Sequence, residues 1–222
     1  IITASCPIYV SVRYNAGYDN RFDLYYHAGA FTSKGTAGLG THFRTAMMPM
    51  GDLQTPALTS GFHSYVSIMA TEDNTTIKAT LPNATQGMNI INYGGYNGTP
   101  IESNLNKGES FVLAIDADNQ NNQNNRFALF GALIQSVDNN GNEDKSKPIA
   151  VTVGSATGTF AENVAGRDHG LDQIAPIEKV GHEYIFIRTK GNNSIENIIL
   201  VADKNNTEIY VNDSKTPTKT LN

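Results

Sequence analysis

Asp168-His169 is the dipeptide in this chain best suited to chemistry, because a carboxylate beside an imidazole can orient a general base. Neighbouring residues on a strand point to opposite faces, however, so the two side chains need not touch. The other histidines, His27, His42, His63 and His182, are dispersed. None has the His-x-x-x-His spacing of a zinc site. No Gly-x-Ser-x-Gly elbow presents a serine nucleophile. Cys6 is the sole cysteine and no base follows it closely, so a small packed residue is expected there rather than a nucleophile. Gly94-Gly95-Tyr96-Asn97-Gly98 reads as a hairpin tip, since no strand-to-helix transition follows to cradle a phosphate. The sequence therefore assigns no catalytic residue, and the expectation is a protein that is not an enzyme.

Two acidic, Asn-rich stretches raise the question of calcium. Asp116 to Asn125 and Asp138 to Asp144 both gather oxygen donors, but neither has the spacing of an EF-hand with its distal bidentate Glu. Polar loops are the expectation, with no metal ligand and no cofactor assigned; calcium is the alternative. A contact surface is the more promising chemistry. Tyr14, Tyr18, Tyr25 and Tyr26 lie in one early stretch, and Tyr96 sits in the glycine-rich tip. A tyrosine ring stacks while its hydroxyl hydrogen-bonds, which suits glycan or protein recognition. Tyr18, Tyr25, Tyr26 and Tyr96 are the expected ligand-binding residues, and cross-strand aromatic packing is the competing role.

The elements that would position these residues are strands. Ile8, Val10 and Val12 alternate with Tyr9, Ser11 and Arg13, as a half-buried strand requires. The same pattern runs through Thr76 to Leu81, Ser110 to Ile115, Pro148 to Val153 and Tyr184 to Thr189. Phe127 to Ile134 is continuously apolar, as a central strand would be. Asp73-Asn74, Gly94-Gly95, Asn97-Gly98, Asn140-Gly141 and Asn205-Asn206 mark tight turns, because Asn and Gly tolerate positive φ. Ala28 to Met50 is the least strand-like stretch and is expected to hold a short helix or a long ordered loop.

Composition narrows the class further. The 222 residues carry a net charge of -5, with only 17% charged residues. No basic stripe is present to displace counterions from phosphates, so nucleic acid is not an expected partner. No apolar run reaches the length of a membrane span, so membrane insertion is not expected either. With one cysteine no internal disulfide can form, which neither demands nor excludes an oxidising compartment. The opening Ile1-Ile2-Thr3 follows no signal-peptide pattern, and a processed or truncated piece is expected.

The chain also repeats itself. Pro7-Ile8-Tyr9-Val10-Ser11-Val12 returns as Pro148-Ile149-Ala150-Val151-Thr152-Val153, and Gly40-Thr41-His42-Phe43 returns as Gly181-His182-Glu183-Tyr184. Both returns come at one offset, the one that separates Pro7 from Pro148. Ala70 to Ile77 resembles Val201 to Ile209, and Thr99-Pro100 with Leu105-Asn106 resembles Thr216-Pro217 with Leu221-Asn222. Three units follow: residues 1–36 as the end of a preceding repeat, 37–177 as a full β repeat module, and 178–222 as the truncated start of a second copy. Open strand edges invite pairing, so residues 1 to 35 are expected to complete the sheet begun by 178 to 222. The fold class is all-β, with antiparallel tandem sandwich-like repeat modules. A propeller-like β-repeat is the alternative.

Three segments in order resemble the IgGFc-binding protein N-terminal domain family. They are Ser67 to Ile77 with its Glu72-Asp73-Asn74-Thr75-Thr76 turn, Lys147 to Ala156 with Lys147-Pro148-Ile149-Ala150-Val151, and Asp168-His169-Gly170-Leu171-Asp172-Gln173 with Pro176. Residues 17 to 50 resemble the version found in bacterial type IX-secreted surface proteins, including gliding and adhesion proteins. The resemblance implies an extracellular, cell-surface module of a larger protein. It implies adhesion or interaction with surface polysaccharide or glycoprotein, and contact with other modules of the same protein. A structural spacer or assembly module with no ligand of its own is the alternative. Animal members of the family carry a cysteine pair near the last two motifs; Thr157 and Arg167 stand in those places here. Antibody Fc binding is not carried over, because no residue set for it maps onto this chain.

Overall fold

The computed structural model describes residues 2–6, 8, 10–15, 18–19, 24–25, 28–49, 63–91, 93–116, 125–158, 168–187 and 197–222. Alternation decides its strands. In Thr75–Thr80, Thr75, Ile77 and Ala79 are buried while Thr76, Lys78 and Thr80 are half-buried, the two-residue period of a strand with one face on a core. The strands in chain order are β1 (Ser11–Asn15), β2 (Tyr18–Asp19), β3 (Leu24–Tyr25), β4 (Ala28–Thr32), β5 (Leu39–Gly40), β6 (His42–Arg44), β7 (His63–Ala70), β8 (Thr75–Thr80) and β9 (Asn89–Ile91). They continue with β10 (Gly94–Gly95), β11 (Ile101–Leu105), β12 (Ser110–Asp116), β13 (Leu133–Val137), β14 (Ile149–Gly158), β15 (Asp168–Gln173), β16 (Thr207–Ile209) and β17 (Lys219–Leu221).

Two antiparallel sheets make a sandwich. One has the order β10-β9-β12-β7-β14-β15, with β5 also paired to β14; the other has the order β11-β8-β13-β6. Val66, Ile68, Leu113, Ile115, Ile149 and Val151 from the first sheet meet Phe43, Ile77, Ile101 and Ile134 from the second, and all are fully buried. Burying one such side chain contributes roughly 1.5–3 kcal/mol, so this slab is what holds the sheets face to face. Neither sheet closes on itself, and the sandwich-like reading holds.

Several expected elements differ, among them the strand expected from Pro7, of which β1 begins only at Ser11. Phe127 to Ile134 is a tight turn followed by β13, not one central strand. Ala128 and Leu129 are buried by the turn itself, so a continuous apolar run arises without a strand. Residues 184–187 of the expected strand Tyr184 to Thr189 have no ladder partner, and 188–189 lie outside the described residues. The stretch from Ala28 holds β4, a single 3-10 turn at Gly35–Gly38, β5 and β6.

The β1–β4 hairpin pairs Ser11 with Thr32, Val12 with Phe31, Arg13 with Ala30 and Tyr14 with Gly29. The β14–β15 hairpin pairs Thr152 with Gln173, Val153 with Asp172, Gly154 with Leu171 and Ser155 with Gly170. Every one of these positions follows its counterpart at the offset that separates Pro7 from Pro148. The Ser33 amide donates to the Val10 carbonyl just as Ile174 donates to Val151. A second set recurs at a slightly shorter offset, the one that separates Asn74 from Asn206. Asn74 and Asn206 both take positive φ, 54° and 61°. Thr75 follows at that offset as Thr207; their partners Leu105 on β11 and Leu221 on β17 recur at a shorter one, so the same pairing is made across a shorter connection.

Candidate functional site

The loop after β13 is built by its own carboxylates. Asp138 Oδ1 accepts the amides of Asn140 and Asn142, each at 2.9 Å. The Asn142 amide above all holds the Asp138 carboxyl below its ordinary range. Asp144 Oδ1 accepts the Ser146 amide at 3.0 Å and its hydroxyl at 2.5 Å. Asp138 and Asp144 are thus committed to turn geometry. Among the described residues no three His, Cys, Asp or Glu side chains converge to hold a metal ion.

That loop forms one wall of a cleft of about 410 Å³. Leu39, Pro148 and Ile177 give it an apolar lining, and Glu143, Lys145 and Glu178 supply charge around it. The Thr41 hydroxyl donates to the Glu143 carboxylate. Lys179 Nζ donates to the carbonyls of Thr36 at 3.1 Å and Leu39 at 2.7 Å, which ties the 3-10 turn at Ile177–Lys179 to the one at Gly35–Gly38. Gly40 is required here, because a Cβ would run into Pro176 and the Glu178 carboxylate. The cleft combines an apolar lining with charge of both signs. Such a surface can hold a polypeptide or a polar chain by contact.

Beside the cleft, a charged joint fastens the C-terminal segment. Asp203 Oδ1 lies 2.8 Å from His42 Nε2 and accepts from Arg44 Nε at 2.9 Å. Arg44 also donates to the carbonyls of Gly131 and Asp203, at 3.1 and 3.3 Å. Burial alone would raise the Asp203 carboxyl; the bonds from Arg44 and His42 outweigh it and hold the group below its usual range. A second cleft of about 590 Å³ lies between the β1–β4 hairpin and β15, with Arg13, Phe31, Lys34 and Asp172 among its walls. Lys34 Nζ bonds Asp172 at 2.8 Å, and Gln173 Oε1 accepts the Lys34 amide at 2.6 Å and the Ser33 hydroxyl at 3.2 Å.

Tyr96, expected as a ligand contact, is 4% exposed and packs in the core, and its amide donates to the Met88 carbonyl. Tyr18 and Tyr25 are ladder partners on the short β2–β3 pair. Tyr26 lies outside the described residues, as do residues 117–124 of the Asn-rich stretch. Cys6 is exposed, not packed, because it precedes the first paired residue and lies outside both sheets. His169 takes a structural bond: its Nε2 lies 3.0 Å from the Tyr65 hydroxyl. Tyr65 on β7 reaches it across Gly154 of β14, where a Cβ would strike the Tyr65 ring. The Asp203 joint and the Tyr65–His169 bond were both beyond sequence reasoning, since each links residues far apart in the chain.

The sequence profile of the IgGFc binding protein family matches residues 29–222. The match covers most of the chain, and the chain belongs to that family. Neither the curated proteins nor the solved structures contain a match to it.

Proposed function

We propose, from membership of the IgGFc binding protein family, that this chain is an extracellular interaction module, binding a protein partner by surface contact and catalysing nothing. The family match over residues 29–222 carries the reading. The mixed-charge, partly apolar cleft beside the loop after β13 supports it. The finer reading is adhesion at a bacterial cell surface, by a piece of a larger type IX-secreted protein, to a glycoprotein or polysaccharide. It rests on the resemblance of residues 17 to 50 and on the tyrosines at 18, 25 and 26. Lys145 and Glu178 beside the cleft offer a second contact surface.

The test is binding of the purified chain to immobilised antibody Fc, mucin glycoprotein and cell-wall polysaccharide, each with calcium and with chelator. Saturable binding to any of them supports the module. Loss of binding on Tyr25→Ala with Tyr26→Ala assigns the tyrosine surface, and loss on Lys145→Ala with Glu178→Ala assigns the cleft. A spacer or assembly role is the second reading, favoured by the recurrence of the β14–β15 register in β1–β4. It gains if every surface is refused.

A further inference from the structure

Two apolar segments stand in solvent at opposite ends of the chain. Ile8 is 56% exposed, Ile198 57% and Leu200 47%. None belongs to a strand. The recurring registers identify what these segments correspond to. Ile8, Tyr9 and Val10 are the counterparts of Ile149, Ala150 and Val151 on β14, at the offset that separates Pro7 from Pro148. Ile198, Leu200 and Ala202 are the counterparts of Val66, Ile68 and Ala70 on β7, at the offset that separates Asn74 from Asn206. On β14 and β7 these residues are partners: Ile149 pairs with Ala70, Ala150 with Met69 and Val151 with Ile68, all antiparallel. Val66, Ile68, Ile149 and Val151 are each fully buried there.

We propose that residues 8–10 pair with residues 200–202 of the same chain, in the register Ile8 with Ala202, Tyr9 with Val201 and Val10 with Leu200. They would thereby begin a second sandwich like the first. The contact is continuous with one already made. β4 lies along β15, where a Cβ on Gly29 would fall 2.6 Å from the His169 carbonyl oxygen. After β4 the chain crosses to pair Leu39 and Gly40 with Ala150 and Ile149. The counterpart of that crossing after β15 brings Val180 and Gly181 to Tyr9 and Ile8. Both neighbours of the residue 8–10 segment are thus supplied by the chain's own C-terminal part. Open edges flanked by apolar side chains pair readily, and the two-residue side-chain period makes the register specific. The pairing stands independently of the binding role.

Cysteine cross-linking reads the register directly. In a Cys6→Ser background, the pairs Ile8→Cys with Ala202→Cys and Tyr9→Cys with Val201→Cys sample the two kinds of antiparallel site. Paired Cα atoms fall within the ~4.4–6.8 Å window of a disulfide with their Cβ atoms on one face, whereas a one-residue slip turns the two Cβ atoms to opposite faces. The expected result is an intramolecular disulfide for at least one in-register pair, seen as a faster monomer band without reductant. Ile8→Cys with Val201→Cys should give little. Disulfide-linked dimers would overturn the proposal, because they assign the strand to another copy. Equal yields in and out of register would overturn it as well. Amide exchange on the unmodified chain is the second reading: residues 199–202 should be protected, and Val10→Asp, at a site outside the folded core, should remove that protection. Free exchange in the unmodified chain would contradict the pairing.

Discussion

Gly154→Ala tests the packing that organises the first sheet. Gly154 lies on β14 between β7 and β15. Its missing Cβ is the space through which Tyr65 reaches His169. An added methyl would strike the Tyr65 ring and lie 2.7 Å from the Gly170 carbonyl oxygen. The ring is held on a strand and the carbonyl is backbone, so neither yields freely. Overpacking of this kind costs about 1–3 kcal/mol, and losing the hydroxyl–imidazole bond adds roughly 0.5–1.5 kcal/mol. The total is about 1.5–4.5 kcal/mol, which lowers Tm by roughly 3 to 18 °C in a chain of this size. Thermal melting by circular dichroism, with urea titration beside it, measures the loss. Tyr65→Ala separates the two contributions: in that background Gly154→Ala should cost less, with the Gly170 clash remaining. A Gly154→Ala chain within about 0.5 kcal/mol of the parent, the range of ordinary surface substitutions, would refute the packing argument.

Other expectations follow from the same geometry. Ile77→Ala empties a fully buried site at the centre of the sandwich and should cost about 2–5 kcal/mol in urea unfolding. Ser136→Ala should hold or raise Tm, because the Ser136 hydroxyl is buried without a hydrogen-bond partner and removing an unsatisfied group carries little penalty. Asp203→Ala should free the C-terminal segment from β6, leaving Arg44 short of its carboxylate, at about 1–3 kcal/mol. Limited proteolysis near residue 203 should accelerate. The Asp203 carboxyl is depressed in the folded chain. The joint's contribution is therefore complete above the unfolded carboxylate value of about 3.9 and is lost as pH falls through the lower folded value. Protection of the amides of residues 201–209, relative to intrinsic exchange at each pH, should hold from pH 7 to about 5 and fall below about 4 in the parent chain. It should be low throughout in Asp203→Ala.

Local pattern carried the strands and lost the joints. Thr76 to Leu81, Ser110 to Ile115 and Pro148 to Val153 alternate in sequence because each has one face on the slab of Ile77, Leu113 and Val151. The turn at Asp73-Asn74 was legible because Asn tolerates the 54° φ it adopts. Phe127 to Ile134 misled, since a buried turn and a buried strand have the same composition. The region from Ala28 to Met50 hid β4, β5 and β6 because strands of two to five residues are too short to show a period. Asp203 with His42 and Arg44 had no local signal, because an ion pair across the fold has no fixed spacing in the chain. Tyr96 shows the limit of residue type as a guide: the tyrosine that is at home on a binding surface also fills a core. The return of Pro7 to Val12 as Pro148 to Val153 proved more informative than any single motif, for its offset reappears as ladder register in β1–β4 and β14–β15.

The most direct test of the central claim, that the chain acts by binding an extracellular protein partner, is biolayer interferometry of the intact chain over immobilised mucin glycoprotein and antibody Fc. The account predicts saturable, reversible binding to at least one of them, with the bound partner recovered chemically unchanged. Binding should weaken in Lys145→Ala with Glu178→Ala or in Tyr25→Ala with Tyr26→Ala, while the melting temperature stays within a degree or two of the parent. Cleavage or modification of either surface would contradict it, and so would a response that never saturates.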